Sequence, residues 1–261
     1  MTNIFEFHDV CFDYSEYGGG SALSGFSVSL PQGEKIAVVG RNGAGKSTFF
    51  LHCNGLYRPK SGQVFFKGEA LNYDRKSLQR LRQRVGLVFQ NPDDQLFNAS
   101  VTQDIGFGPL NLGLGESEVR HRVQEAAKAC EITHLLERPT HALSGGEKAR
   151  VALAGVLAME PEALVADELI GSLDPWVRLS IFEILQNFHN QGGTILLATH
   201  SLSAARHWAG YVVVIEAGRV VFSGTPQSLL SDPAVMDETG LSKIWRQVDP
   251  DFLENAEFNA S

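Results

Sequence analysis

Residues 40–48 read Gly40-Arg41-Asn42-Gly43-Ala44-Gly45-Lys46-Ser47-Thr48. An apolar run at residues 36–39 precedes them and is typical of a buried strand, while residues 46–53 read as the start of a helix. A glycine-rich turn between strand and helix points successive backbone N–H groups inward, and the helix N-terminus adds partial positive charge. The stretch predicts a polyphosphate-binding loop in which Lys46 reaches the β- and γ-phosphates and the Ser47 hydroxyl binds Mg²⁺.

The composition is that of an ordinary globular protein: 261 residues, 43% hydrophobic and 20% charged. The formal net charge is −8 and no dense Lys/Arg run occurs, which argues against nucleic acid as a partner. The three cysteines are scattered and show no metal-site spacing, so we expect a reducing, cytosolic environment. We find neither a signal-peptide pattern nor an apolar run of the roughly 20 residues that span a bilayer, so any membrane role is expected to depend on a partner.

The order of predicted elements favours one fold class. Apolar runs typical of strands alternate with helical spacing through the second half of the chain, which predicts an α/β fold with a mostly parallel sheet and crossover helices. Residues 4–10 alternate as in an edge strand. Further strands are expected at 26–30, 62–66, 85–89, 163–166, 194–198 and 211–215, and helices at 117–130, 147–159, 177–188 and 202–208.

Two carboxylates, Asp167 and Glu168, follow the apolar run at 163–166. The carboxyl ends of parallel strands line the ligand crevice, so Asp167 could hold Mg²⁺ there through water and Glu168 could polarise the attacking water. By itself such a pair is more often a solvated strand end, and only the phosphate loop upstream favours a site. His200 ends another apolar run, 194–199, and by itself indicates a structural histidine.

Leu143-Ser144-Gly145-Gly146-Glu147 precedes the predicted helix at 147–159. A serine and two glycines at a helix start make a second anion site. A single bound triphosphate is not expected to contact both of these helix starts in the same monomer. A symmetric head-to-tail dimer, with each nucleotide between the phosphate loop of one subunit and residues 143–147 of the other, accounts for both.

Together these motifs resemble those of the ATPase subunits of ATP-binding cassette (ABC) transporters, over about residues 3–235, with 143–147 as the family's signature. The resemblance implies a P-loop NTPase core of the α/β class, an antiparallel β subdomain and a helical signature subdomain at about 91–160. It implies ATP and Mg²⁺ as cofactors, and it leaves residues 236–261 as a C-terminal extension.

The resemblance also implies roles for residues outside the two loops. Gln90 is similar to the Q-loop glutamine, which contacts Mg²⁺ and links the site to the membrane partner. His200 matches the switch histidine, which contacts the γ-phosphate. The D-loop, which crosses the dimer interface, is matched by Ser172-Leu173-Asp174.

Tyr14 matches the aromatic residue that stacks on adenine in this family. Phe12 and Tyr17 flank it, so the sequence leaves open which ring serves. A core or turn role for Tyr14 also stays open.

Residues 90–97 (QNPDDQLF), 107–113 (FGPLNLG) and 143–159 resemble the energy-coupling-factor ATPases, and most closely their cobalt/nickel import branch. Such importers pair two cytosolic ATPases with a transmembrane coupling protein and a substrate-binding membrane protein. The resemblance therefore implies a peripheral position on the cytoplasmic face of the cell membrane. Leu96 and Phe97 then either dock a coupling helix or are buried in the helical subdomain.

The chain departs from the family after the acidic pair. Members usually read Asp-Glu-Pro-Thr, whereas this chain continues with Leu169-Ile170 and then Gly171-Ser172, and Ser201 stands where an Asp usually follows the histidine. Losing the proline frees the backbone, so we expect Glu168 to be held less rigidly and turnover to be low.

These patterns predict a Mg²⁺-dependent ATPase that powers import, of cobalt/nickel ions or a vitamin. One alternative is a soluble ABC-type ATPase acting on DNA or ribosomes, although the acidic chain carries no coiled-coil insertion or second cassette. Another is a nucleotide-gated regulatory subunit with low turnover. Neither the cargo nor the choice between a homodimer and a heterodimer follows from the sequence.

Overall fold

The computed structural model of the protein describes residues 2–15, 18–169, 173–199 and 202–241. Several residues that the sequence singles out lie outside these ranges. They are Tyr17, Ile170, Gly171, Ser172, His200, Ser201 and, within the C-terminal extension, 242–261.

The larger sheet has six strands in the order β10-β9-β3-β8-β7-β6. Neighbouring strands from β9 to β6 run parallel, and only β10 is antiparallel to its neighbour. The predicted α/β fold with a mostly parallel sheet is therefore confirmed. The strands are β3 (Lys35–Val39), β6 (Val85–Val88), β7 (Ala163–Asp167), β8 (Thr194–Ala198), β9 (Tyr211–Glu216) and β10 (Arg219–Gly224).

The smaller sheet is antiparallel, with the order β2-β1-β4-β5 for β1 (Asn3–Asp13), β2 (Ser21–Pro31), β4 (Ser61–Phe66) and β5 (Glu69–Ala70). The expectation of an edge strand at residues 4–10 is wrong, because β1 pairs with β2 on one side and β4 on the other. Alternation of apolar side chains reports which face of a strand is buried, not whether its edges are paired.

Phenylalanines join the antiparallel sheet to the helix that follows the phosphate loop. The ring of Phe49 packs edge-on at 5.0 Å from Phe7 and tilted at 5.1 Å from Phe26, measured between centroids. All three side chains are buried. This contact fixes the helix against the sheet, and with it the loop at its N-terminus.

Nine α-helices lie in the described residues: α1 (Lys46–Cys53), α2 (Arg75–Arg84), α3 (Val101–Asn111), α4 (Glu116–Ala129), α5 (Gly145–Leu157), α6 (Pro175–Asn190), α7 (Leu202–His207), α8 (Pro226–Leu230) and α9 (Pro233–Glu238). Helices α3, α4 and α5 pack on one another and fall within the interval 91–160. Among these described helices, none combines the length and apolar character needed to cross a bilayer.

The sequence patterns predicted neither four of these helices, α2, α3, α8 and α9, nor the two strands β5 and β10. In α2 only Leu81 is buried, so no apolar face marks the helix, and α3 contains Gly106, Gly108 and Pro109, which weaken its helix propensity. β10 has partly exposed side chains and no fully buried run. In each case tertiary packing overrides a weak local signal.

Candidate functional site

The turn between β3 and α1 needs glycine at two positions. A Cβ on Gly40 would collide with the carbonyl oxygen of Ile215. Gly45 adopts φ +108°, and its Cβ would lie 2.7 Å from the carbonyl oxygen of Ala22. The loop is therefore pressed against β2 and β9.

Lys46, the first residue of α1, is only 5% exposed. Its Nζ donates to the carbonyl oxygens of Gly40, at 2.9 Å, and Arg41, at 3.2 Å. The same atom lies 3.5 Å from Oε1 of Glu168. The buried ammonium is thus held by three oxygens, one of them charged, at the mouth of the loop.

Glu168 follows directly after β7 and has φ +49°, in the left-handed region that non-glycine residues rarely adopt. Such backbone costs about 1–3 kcal/mol and tends to occur at active sites. Besides the contact with Lys46, its Oε2 accepts a hydrogen bond of 3.1 Å from Nε2 of Gln90. Three residues far apart in sequence, which follow β3, β6 and β7, therefore meet at the carboxyl edge of the parallel sheet.

The structure shows how Glu168 is held without the family's proline, whereas its expected looser hold and low turnover stay predictions. Its carboxylate contacts both Lys46 and Gln90. Leu169, in the place of that proline, is 3% exposed and packs in the core shared with α5 and α6. Burial of this side chain anchors the backbone next to Glu168, which is the role that a stiff proline ring would otherwise have.

A cleft of 440 Å³ opens above the loop and gathers most of the predicted nucleotide-site residues. Of the loop residues outside the lining, Ala44 is buried below the cleft, whereas Gly40 and Arg41 present carbonyls to Lys46. The lining consists of Tyr14, Gly20, Ser21, Ala22, Asn42, Gly43, Gly45, Lys46, Ser47, Thr48, Gln90 and Glu168.

Tyr14 lines this cleft and is also packed against other aromatic rings, so its stacking on adenine stays a prediction. Its hydroxyl is hydrogen-bonded to the Thr48 hydroxyl at 2.9 Å, and its ring packs edge-on against Phe12 and Tyr57. Gly20, Ser21 and Ala22 were missed as lining residues. The only signal for them is the glycine triplet 18–20, which the sequence marks as a turn but not as part of a site.

The oxygen donors around this cleft fit a hard divalent cation. Ser47 lies exposed in the first turn of α1, Gln90 contributes an amide, and Asp167 ends β7. Hydroxyl, amide and carboxylate oxygens are what Mg²⁺ prefers, usually together with substrate phosphates and water. The described residues form no group of three or more His, Cys, Asp or Glu that would hold a metal without such help.

The second glycine motif begins α5, two residues earlier than predicted, because Ser144 caps the helix. Its Oγ accepts from the backbone N–H of Glu147, whose Oε2 accepts from the backbone N–H of Ser144 at 2.7 Å. This backbone hydrogen bond is the main reason that the pKa of Glu147 is lowered. Leu143 is buried in the core, so it anchors the motif and does not face a ligand.

The two glycines of the motif differ in whether the surrounding structure leaves room for a side chain. A Cβ on Gly146 would come within 2.8 Å of Val177, so α6 requires the small residue. A Cβ on Gly145 would meet no atom within 4 Å. Nothing in the described part of this chain requires glycine at 145, and the backbone there is open to an approaching group.

Residues 143–147 are absent from the described lining of the phosphate-loop cleft. Gly145 and Gly146 instead line a separate cleft of 270 Å³ with residues 90–93, Leu173 and Asp174. The carboxylate of Asp174 accepts from the backbone N–H groups of Trp176 and Val177, at 3.0 and 3.1 Å, and so caps α6. One chain thus presents two glycine-rich helix starts in two different clefts.

Residues 23–171, more than half of the chain, match the family model described as ABC transporter. The chain belongs to the ABC transporter family. The phosphate loop, the acidic pair and the signature all lie in the matched segment, and the resemblance drawn from them is confirmed.

Relatives of this ABC protein are similar over nearly their whole length. The energy-coupling factor transporter ATP-binding protein EcfA of Methanosphaera stadtmanae is 44% identical over 94% of this chain and 87% of its own. The cobalt import ATP-binding protein CbiO of Rhodobacter capsulatus is 47% identical over 87% and 81%. The structure of cbiO1 from Clostridium perfringens, part of the ABC transporter complex cbiONQ, matches with a TM-score of 0.80 and 38% identity, covering 98% of this chain and 100% of that one.

Proposed function

We propose that this ABC ATPase is the ATP-binding and ATP-hydrolysing subunit of an energy-coupling-factor importer, acting as a dimer of ATPase subunits. The observation that carries the proposal is that Lys46, Glu168 and Gln90 meet at the phosphate-loop cleft. The signature glycines Gly145 and Gly146 line a second cleft. The names of the relatives EcfA and CbiO support the same function.

The cleft suggests how its residues divide the work. Backbone N–H groups of residues 42–48 cradle the phosphates, and Lys46 exchanges its loop carbonyls for the β- and γ-phosphate oxygens. The Glu168 carboxylate, released from Lys46, accepts a proton from the attacking water as general base. Gln90 stays within hydrogen-bond reach of that carboxylate and orients it.

Mg²⁺ is proposed as the cofactor, held by Ser47 and Gln90 directly and by Asp167 through water. When bound it neutralises phosphate charge. The ring of Tyr14 lies at the cleft rim, where it can stack on adenine, and its bond to Thr48 fixes that ring to α1.

The dimer follows from the signature. The open backbone at Gly145 and the N-terminus of α5 form an anion site that its own phosphate loop does not use. Head-to-tail pairing brings this site of one subunit to the nucleotide of the other. Ser144 and the two glycines then stabilise the charge that develops on the γ-phosphate, with His200 as the switch histidine and Ser172-Leu173-Asp174 at the interface.

An exposed apolar patch marks the proposed contact with the membrane partner. Phe97 is 65% exposed and lies edge-on to Phe107 at 4.7 Å, with Leu110 also exposed. Leu96, in contrast, packs against the core. Phe97 lies seven residues after Gln90 in the chain and contacts Phe107, so a coupling helix docked on this patch would sense the site. The chain would then be peripheral, on the cytoplasmic face of the membrane, with a coupling protein and a substrate-binding protein.

Cobalt or nickel is the proposed cargo, ahead of a vitamin, because a relative 47% identical is named a cobalt import protein. The low-turnover regulatory subunit is a second candidate. It is favoured by one observation, the ion pair that holds Glu168 on Lys46.

A mild-detergent pull-down of the tagged chain from native membranes, followed by mass spectrometry and Mg²⁺-ATPase assay, tests the proposal. We expect integral membrane proteins to be recovered and ATPase activity to disappear in Lys46→Ala. The matched control, Lys128→Ala, changes a lysine on α4 and should behave as wild type. Recovery without an integral membrane protein refutes the importer, and an assembled complex without turnover favours the regulatory subunit.

A further inference from the structure

Gln95 makes two hydrogen bonds in opposite directions. Its Oε1 accepts from the backbone N–H of Phe89 at 3.1 Å, and its Nε2 donates to the carbonyl oxygen of Ala152 at 2.8 Å. Phe89 precedes Gln90 in the chain, and Ala152 lies in the middle of α5. One amide therefore bridges the Gln90 segment and the helix that begins at the signature.

A second contact joins the same two segments. Nζ of Lys148 lies 2.6 Å from Oδ1 of Asp93, which belongs to the short 3-10 turn Pro92–Asp94. Residues 148 and 152 are four apart and lie on one face of α5. The segment 89–95 is thus tied to this face at two points, one turn of helix apart.

Only a side chain with both a donor and an acceptor at this reach can make the bridge. Glutamine supplies a carbonyl oxygen and an NH₂ group, whereas glutamate keeps the acceptor and loses the donor. Alanine loses both. Gln95→Glu therefore isolates the bond to Ala152 without changing the length of the side chain, whereas Gln95→Ala removes both bonds.

We propose that Gln95 is a positioning residue that makes Gln90 and the signature end of α5 move as one body. The inference rests on the proposed function. Nucleotide contact at Gln90 of one subunit then sets where Ser144 and Gly145 meet the nucleotide of the other subunit. The two ATP sites of the dimer are coupled through this bridge, in addition to any contact across the interface itself.

The test compares Gln95→Ala, Gln95→Glu and the control Gln103→Ala, an exposed glutamine on α3, in the assembled membrane complex. Binding of a fluorescent ATP analogue and the melting temperature are measured beside ATPase kinetics. We expect kcat to fall about 10- to 100-fold in both Gln95 variants, because misplacement by about 1 Å costs that much. ATP binding should stay within about twofold of wild type, and Gln103→Ala should match wild type.

Several results would overturn the inference. Wild-type kcat in Gln95→Glu means that the bond to α5 is dispensable, and loss of ATP binding together with kcat means a merely structural role. A double variant with Lys148→Met adds a further check. If the fold losses in kcat of the two single variants multiply in the double variant, the Gln95 and Lys148 contacts act independently, which contradicts the inference. A loss in the double variant no larger than the greater single loss supports it. A wild-type complex without ATPase refutes the proposed function, and the bridge with it.

Discussion

The Nζ atom of Lys46 lies 3.5 Å from Oε1 of Glu168, and both side chains are largely shielded from solvent, at 5% and 19% exposed. The pair joins the first residue of α1 to the residue that follows β7. Charged groups held together at such a distance in a poorly hydrated site constrain each other strongly. The proposed phosphate-binding lysine and the proposed general base are therefore coupled before any nucleotide enters.

Replacing Glu168 with Gln removes the proposed base but keeps the size of the side chain. We expect ATP binding to be retained and kcat to fall by about 10²- to 10⁴-fold, the usual contribution of a general base. Without hydrolysis the ATP-bound dimer should stay closed and elute as a dimer in gel filtration. Glu160→Gln, an exposed acid outside the cleft lining, serves as control. An E168Q protein that remains monomeric at saturating ATP contradicts the assignment.

Gly145→Ala separates folding from function in the signature. The added Cβ meets no atom within 4 Å, so stability should be unchanged or rise by up to about 1 kcal/mol from helix propensity. Activity should nevertheless fall, because the Cβ would meet the partner's nucleotide.

The control for Gly145→Ala is Gly155→Ala in the same helix, where the Cβ would lie 3.8 Å from its nearest neighbour. We expect this variant to be stabilised and fully active. Thermal melts and ATPase rates of both variants check the prediction. Full activity in Gly145→Ala would mean that no nucleotide approaches this backbone.

Leu169→Ala tests whether the residue after the acids acts through packing. Truncating a fully buried leucine costs about 2–5 kcal/mol, and here it also loosens the backbone next to Glu168. We expect a lower free energy of unfolding in urea and a lower kcat with ATP binding retained. Leu179→Ala, at a side chain that is 54% exposed, should change stability by less than about 0.5 kcal/mol. Equal unfolding free energies for the two variants would contradict the packing role.

The capping box at α5 predicts a pH dependence. The pKa of Glu147 is lowered mainly by the hydrogen bond from the Ser144 backbone. A carboxyl group with a lowered folded-state pKa stabilises the fold above its unfolded pKa, and this stability is lost as the pH falls through the folded pKa.

Glu147→Gln is the variant that reveals this contribution. We expect it to melt below wild type at neutral pH, with the difference shrinking as the pH falls below about 4.5, the ordinary glutamate value. Melting curves across that range check this. A difference in melting temperature that is independent of pH would exclude the charged capping box as its source.

Phe97→Ser tests the apolar patch. Because the side chain is 65% exposed, its loss should leave the melting temperature within a few degrees and ATP binding unchanged. Recovery of membrane proteins in the pull-down should fall. Trp176→Ser, at a more exposed aromatic on α6, is the control and should keep the membrane partners. Undiminished recovery with Phe97→Ser places the docking surface elsewhere.

Local patterns sufficed where one short stretch creates the feature. The loop at 40–48 and strand β8 at 194–198 are read from contiguous residues, and the serine and glycines at 144–146 mark a helix start that was predicted two residues too late. The pairing of β1 with β4 and the polar helix α2 could not be predicted in this way, since both depend on partners distant in the chain.

The sequence by itself determined the local chemistry of the two proposed anion sites, because glycine turns and capped helix starts orient their own backbone N–H groups. Only the tertiary structure decided that Glu168 lies on Lys46 and Gln90, the latter 78 residues away, and that Gln95 ties Gln90 to α5. The sequence around a side-chain amide or carboxylate does not indicate which distant residue it will contact. The packing of β6, β7 and α5 brings these groups together, and burial of Leu169 in the same core fixes the backbone next to Glu168.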